Sequence, residues 1–109
     1  MAKRRSIFTE TIEEGLEIRG EVYYSRGGAN YFSGGNDPRG YWFSVQPVRI
    51  TPEGYQSFIM GSGHRKFIKE AKRFSDKELA AVMPDEALIE NMKALGKAAA
   101  EKDRALLMR

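Results

Sequence analysis

The chain contains no cysteine. That excludes a disulfide framework, a thiolate nucleophile and any cysteine-ligated zinc or iron–sulfur centre. It has one histidine, His64. Metal ligation would rest on that ring and scattered carboxylates, a poor donor set. No pair of carboxylates stands beside an obvious base for acid–base work. The residues therefore point to no catalytic site, no metal and no cofactor. Net charge is also small: +3 over 109 residues is mild for a dedicated nucleic-acid binder. No apolar run approaches the roughly 18–20 residues of a membrane span. The basic start Lys3-Arg4-Arg5 runs into Glu10, Glu13 and Glu14 without a hydrophobic stretch. Neither a signal peptide nor a membrane partner is expected, and the lack of cysteine suits a reducing cytoplasm.

What charge there is, however, is concentrated. Residues 1–50 carry seven Lys/Arg and six Asp/Glu, residues 51–74 five and two, and residues 75–109 six and seven. The middle segment thus holds the whole net excess. It reads Gly61-Ser62-Gly63-His64-Arg65-Lys66-Phe67-Ile68-Lys69-Glu70-Ala71-Lys72-Arg73-Phe74. At 100° per residue, Phe67, Ile68, Ala71 and Phe74 share one side. Arg65, Lys66, Lys69, Lys72 and Arg73 fall on the other. Ser62 suits an N-cap. The spacing predicts a basic amphipathic helix over 62–74, opened by a glycine turn whose free N–H groups suit phosphate. The segment is neither a P-loop nor a G-x-G-x-x-G turn, since Lys66 stands where the third glycine would be. The plain alternative is a solvated helix face behind a tight connection.

The rest reads as strands first and helices later, an α+β arrangement. Residues 16–25 alternate, with Leu16, Ile18, Val22 and Tyr24 on one face and Glu17, Arg19, Glu21, Tyr23 and Ser25 on the other. Gly20 interrupts the apolar face, which suggests a bulge or a close neighbour. Arg26 to Asn30 reads as a turn, Tyr31-Phe32-Ser33 as a short strand and Gly34 to Gly40 as a loop. Tyr41 to Ile50 is the strongest strand signal, and the turn Thr51-Pro52-Glu53-Gly54 pairs it with residues 55–60 as a hairpin. Ser75 and Glu78 form a capping box that opens a helix over 76–83. Pro84 ends it and starts another over 85–107, with an apolar stripe of Leu88, Met92, Leu95, Ala99 and Leu106. The expectation is a three- to four-stranded antiparallel sheet over 16–60, with helices 62–74, 76–83 and 85–107 packed on it. Residues 1–15 would be an arm outside the single 16–109 domain.

Functionally, residues Ser62 to Lys66 with Lys69, Lys72 and Arg73 are the candidate anion-binding set. Arg26, Arg39 and Lys3-Arg4-Arg5 would add secondary contacts. Tyr41 and Trp42 cannot share a sheet face, so one of them is expected at the surface or under the helices; at the surface, beside Arg39, it would stack on bases or anchor a protein, and the plain alternative is core with cross-strand aromatic pairing. The partner is then a nucleic acid of either type or an acidic protein surface, and the last helix could pair with a second copy. The block Asn30 to Val48, followed by Phe58 to Phe74, resembles short uncharacterised proteins of phages and conjugative elements of Gram-positive gut bacteria, over roughly residues 30–75. The resemblance implies a mobile-element accessory protein that handles the element's DNA or blocks a host defence nuclease complex. It brings no catalytic residues.

Overall fold

The computed structural model describes residues 3–30, 34–58 and 63–107. The protein is α+β. Among the described residues, five strands form an antiparallel sheet, a short two-stranded ribbon stands beside it, and two helices follow. In chain order these are β1 (Arg4–Glu13), β2 (Leu16–Ser25), the ribbon strands β3 (Gly28–Asn30) and β4 (Gly35–Asp37), β5 (Gly40–Ile50), β6 (Gln56–Phe58), β7 (His64–Glu70), α1 (Asp76–Ala81) and α2 (Glu86–Leu107). β5 is central. It pairs with β2 on one side, and with β6 and β7 at its two ends on the other.

The alternation in residues 16–25 acts as expected. Leu16, Ile18 and Val22 are fully buried, and Glu17, Arg19, Glu21 and Tyr23 lie on the opposite face. With Tyr41, Phe43 and Val45 of β5, Val22 joins Leu79, Val82 and Met92 of the helical layer in one core cluster. Leu16, Ile18 and Ala100 form a second. Burial of these side chains against the helices is the main force holding sheet and helices together. Gly20 does have the close neighbour its position suggested. The Phe8 ring of β1 lies across it, so that a Cβ there would meet ring carbon at 2.3 Å, and β1 bulges between Ser6 and Phe8 opposite it.

Several expectations are corrected. Residues 1–15 are not an arm, because Arg4–Glu13 is an edge strand of the sheet. The loop over 26–40 contains the β3–β4 ribbon, and the expected strand 31–33 lies outside the described residues. The 41–50 hairpin forms with Gln56–Phe58, and its last two expected residues lie outside the described residues. The largest correction concerns 62–74. Ser62 lies outside the described residues, and His64–Glu70 is a strand paired to Gly40–Val45, not a helix. The physical reason is β5. Seven of its eleven residues are buried and none is exposed, so it is a central strand that needs a ladder on both sides. A helix over 62–74 would leave the N–H and C=O groups of one side of residues 40–45 unpaired. A short helix with one cationic face is marginal in water and cannot compete with that.

The two later helices form as expected. The Ser75 hydroxyl accepts from the Glu78 N–H at 3.3 Å, and the Asp85 carboxylate accepts from the Leu88 N–H at 3.0 Å. The seam of α2 is shifted, however. Met92, Gly96 and Ala100 face the sheet, whereas Leu95 is 46% exposed. Among the described residues, that seam is occupied by the protein's own sheet.

Candidate functional site

Antiparallel pairing brings the start of β1, the end of β2, the start of β5 and the end of β7 to one end of the sheet. The sequence places a cation at or beside each of them. Lys3 precedes β1, Arg26 follows β2, Arg39 precedes β5, and Lys72 and Arg73 follow β7. Together with the rings of Tyr24 and Phe74 they line a groove of about 340 Å³. No carboxylate lines it among the described residues.

These cations differ from most others in the molecule. Arg4, Arg19, Arg49, Arg65, Lys69, Lys93, Lys97 and Arg104 all stand within 4 Å of a carboxylate. Lys3, Arg26, Arg39, Lys72 and Arg73 form no ion pair among the described residues. Arg39 is the tie that shapes the groove. Its guanidinium donates to the backbone carbonyls of Arg26 at 3.0 Å and of Lys72 at 3.4 Å, joining three chain segments. Opposite, Lys3 Nζ stands 5.8 Å from the Phe74 ring centre, and Phe74 packs on Tyr24. Like charges drawn together without counter-ions raise the local potential and the demand for an anion.

The cations of the 62–74 segment therefore do not act as one face. Lys72 and Arg73 go to the groove. Lys69 faces Glu78 of α1 at 3.9 Å. Lys66 lies opposite Phe43 on the exposed β7 edge, where a lysine also discourages strand addition. Arg65 turns to the face of the sheet away from the helices. There its guanidinium lies 4.5 Å from the Trp42 ring centre and 2.7 Å from the Asp37 carboxylate. The hydrogen bond that the guanidinium donates to Asp37, with a further one to Tyr23, holds the Arg65 pKa above its ordinary value against the opposing effect of burial, so it stays charged at every accessible pH. Gly63 and His64 line the open face beside it.

Tyr41 is not a contact residue. It is fully buried, and its hydroxyl accepts from the Ser75 N–H at 3.0 Å and donates to the Ser75 carbonyl at 3.1 Å, fixing the start of α1. Trp42 is 7% exposed, covered by Arg65 and by Phe67, and its indole N–H donates to the Pro38 carbonyl. Arg5 also leaves the surface set, because it donates to the Leu79 and Val82 carbonyls at the end of α1. Comparisons with protein-family models, with curated proteins and with solved structures found no match to this chain. No helix among the described residues is long and apolar enough to cross a membrane.

Proposed function

We propose that the protein binds nucleic acid, and that the groove at the end of the sheet holds the phosphates. One observation carries this reading. Five cations from four separate chain segments converge on one groove without a carboxylate among its described lining residues, in a molecule that pairs most of its other cations. Contacts of this kind supply affinity and register without reading sequence. The side chains of Arg26, Lys72 and Arg73 project from segments outside the regular strands, where they can adapt to a backbone.

The test is fluorescence anisotropy on labelled DNA and RNA between about 50 and 200 mM salt. Arg26→Glu, Lys72→Glu and Arg73→Glu combined should abolish measurable binding. The corresponding alanine variant should flatten the salt slope by about two to three units, near one per lost phosphate contact. Lys102→Glu, an exposed change on α2, should alter neither. Unchanged affinity in the triple variant would overturn the reading. Absence of binding at low salt, together with a stoichiometric protein partner that survives nuclease, would transfer the groove to an acidic protein surface.

A further inference from the structure

We infer that the open face of the sheet binds the bases of an unpaired strand whose phosphates lie in the groove, which makes the protein selective for single-stranded nucleic acid. This rests on the phosphate-groove reading above. The open face carries three arginines, each already neutralised. Arg4 pairs with Glu21 at 3.0 Å, Arg19 with Glu17 at 2.9 Å and Arg65 with Asp37 at 2.7 Å. A face balanced in this way has little electrostatic pull on phosphate. What it offers is flat, fixed surface.

Arg4 lies over Tyr23, 5.8 Å from its ring centre, and Arg65 lies over Trp42. In each case a ring beneath and a carboxylate beside hold a guanidinium whose side chain is still about half or more than a third exposed, 57% for Arg4 and 38% for Arg65. Guanidinium planes and aromatic rings are the surfaces on which unpaired bases stack. Between the two stacks lies a hollow of about 380 Å³, in the range that takes a nucleoside-sized ligand. Ser44 and Gln46 line it with a hydroxyl and an amide, which can both donate to and accept from base edges. Gly63 leaves the Gln46 amide uncrowded, since even a Cβ there would come no closer to it than 3.7 Å. A duplex keeps its bases inside and could not use this surface.

The two sites meet at one end of the sheet from opposite faces. Lys3 and Arg4 are consecutive, as are Tyr23 and Tyr24, and in each pair one member lines the groove and the other the open-face hollow. A strand held by its phosphates in the groove reaches the open face by turning over that strand end.

The experiment compares a single-stranded 12-mer, the duplex of the same sequence and inorganic polyphosphate as a charge-only probe. The expected result is single-strand binding at least ten-fold tighter than duplex binding, with quenching of the single tryptophan, Trp42, by the single strand and not by polyphosphate. Arg65→Lys keeps the charge and loses the planar group. It should weaken single-strand binding about five-fold or more and leave polyphosphate binding intact. Ser44→Ala with Gln46→Ala, which leave both guanidinium groups, their rings and their carboxylates in place, should act in the same direction. Duplex binding as tight as single-strand binding, or indifference of single-strand binding to both variants, overturns the inference while the groove reading stands. Single-strand binding that responds to Arg65→Lys but not to the groove changes would overturn the groove reading and, with it, the path of the strand inferred here. Absence of binding to all three probes overturns both.

Discussion

The two faces of the central sheet show how one alternating pattern can be put to opposite uses. Toward the helices, Val22, Tyr41, Phe43 and Val45 are shut away from water completely. Away from them, the very next residues, Tyr23, Trp42, Ser44 and Gln46, lie among arginine–carboxylate pairs and remain partly accessible, except for Trp42. The first face gains stability from the removal of apolar surface. The second gains less, because its ion pairs are weak and Trp42 against Phe67 is its one buried ring among the described residues, but it holds planar groups in fixed positions. Stability and recognition are therefore separated across the thickness of one sheet, and adjacent residues should respond very differently to substitution.

The sharpest comparison is between Phe43 and Ser44. Phe43→Ala removes a fully buried ring from the principal core cluster and is expected to cost about 3–5 kcal/mol in urea unfolding. Ser44→Ala, one residue along and on the other face, should stay within about 0.5 kcal/mol. A cost above about 2 kcal/mol at Ser44 would mean that the open face is part of the fold's support.

The next effect tests how closely α2 approaches the sheet. Gly96 is buried against it, and a Cβ at that position would lie 2.6 Å from Cγ1 of Val45 and 3.7 Å from Ile18. Alanine at a helix interior normally gains about 1 kcal/mol over glycine. Here overpacking, typically about 1–3 kcal/mol, opposes it, and Val45 is enclosed with little room to yield. Gly96→Ala should therefore lower stability by about 1 kcal/mol, read as a lower urea midpoint at unchanged slope. A rise in midpoint would show that helix and sheet can separate slightly without loss.

Much of the frame was legible in the chain, and the exceptions share one cause. β2 was visible because its alternation is local, and the cap at Ser75 because a capping box depends on residues three positions apart. β7 was not visible. Phe67, Ile68, Ala71 and Phe74 satisfy a helical period, and only the need of β5 for a second neighbour decides against it. That need has a trace in the sequence. The run from Tyr41 to Val48 is mostly apolar, broken only by Ser44 and Gln46, and a strand so enclosed is paired on both edges. The groove was hidden for a related reason. Arg26, Arg39 and Lys3 look like isolated loop and terminal charges, and only the antiparallel return of four strand ends brings them to Lys72 and Arg73. The concentration of charge in residues 51–74 pointed to a basic segment correctly but assigned it a face that does not exist, since Arg65, Lys66 and Lys69 turn away from the groove.

The smallest expected effect concerns the neutrality of the open face. Glu21→Gln removes the partner of Arg4 while keeping the shape of the side chain. Arg4 is more than half exposed, so the pair is worth at most about 1 kcal/mol and the melting temperature should fall by no more than a few degrees. Binding should move the other way. With Glu21 neutral, the face gains one uncompensated positive charge beside the groove, and polyphosphate affinity should rise slightly, with the salt slope steeper by up to about one unit. The same change in Arg65→Lys would produce neither, because there the charge is conserved and only the plane is lost. If Glu21→Gln left polyphosphate binding and its salt slope unchanged, the open face would be too far from the groove to share a ligand with it. The two sites would then have to be treated as independent.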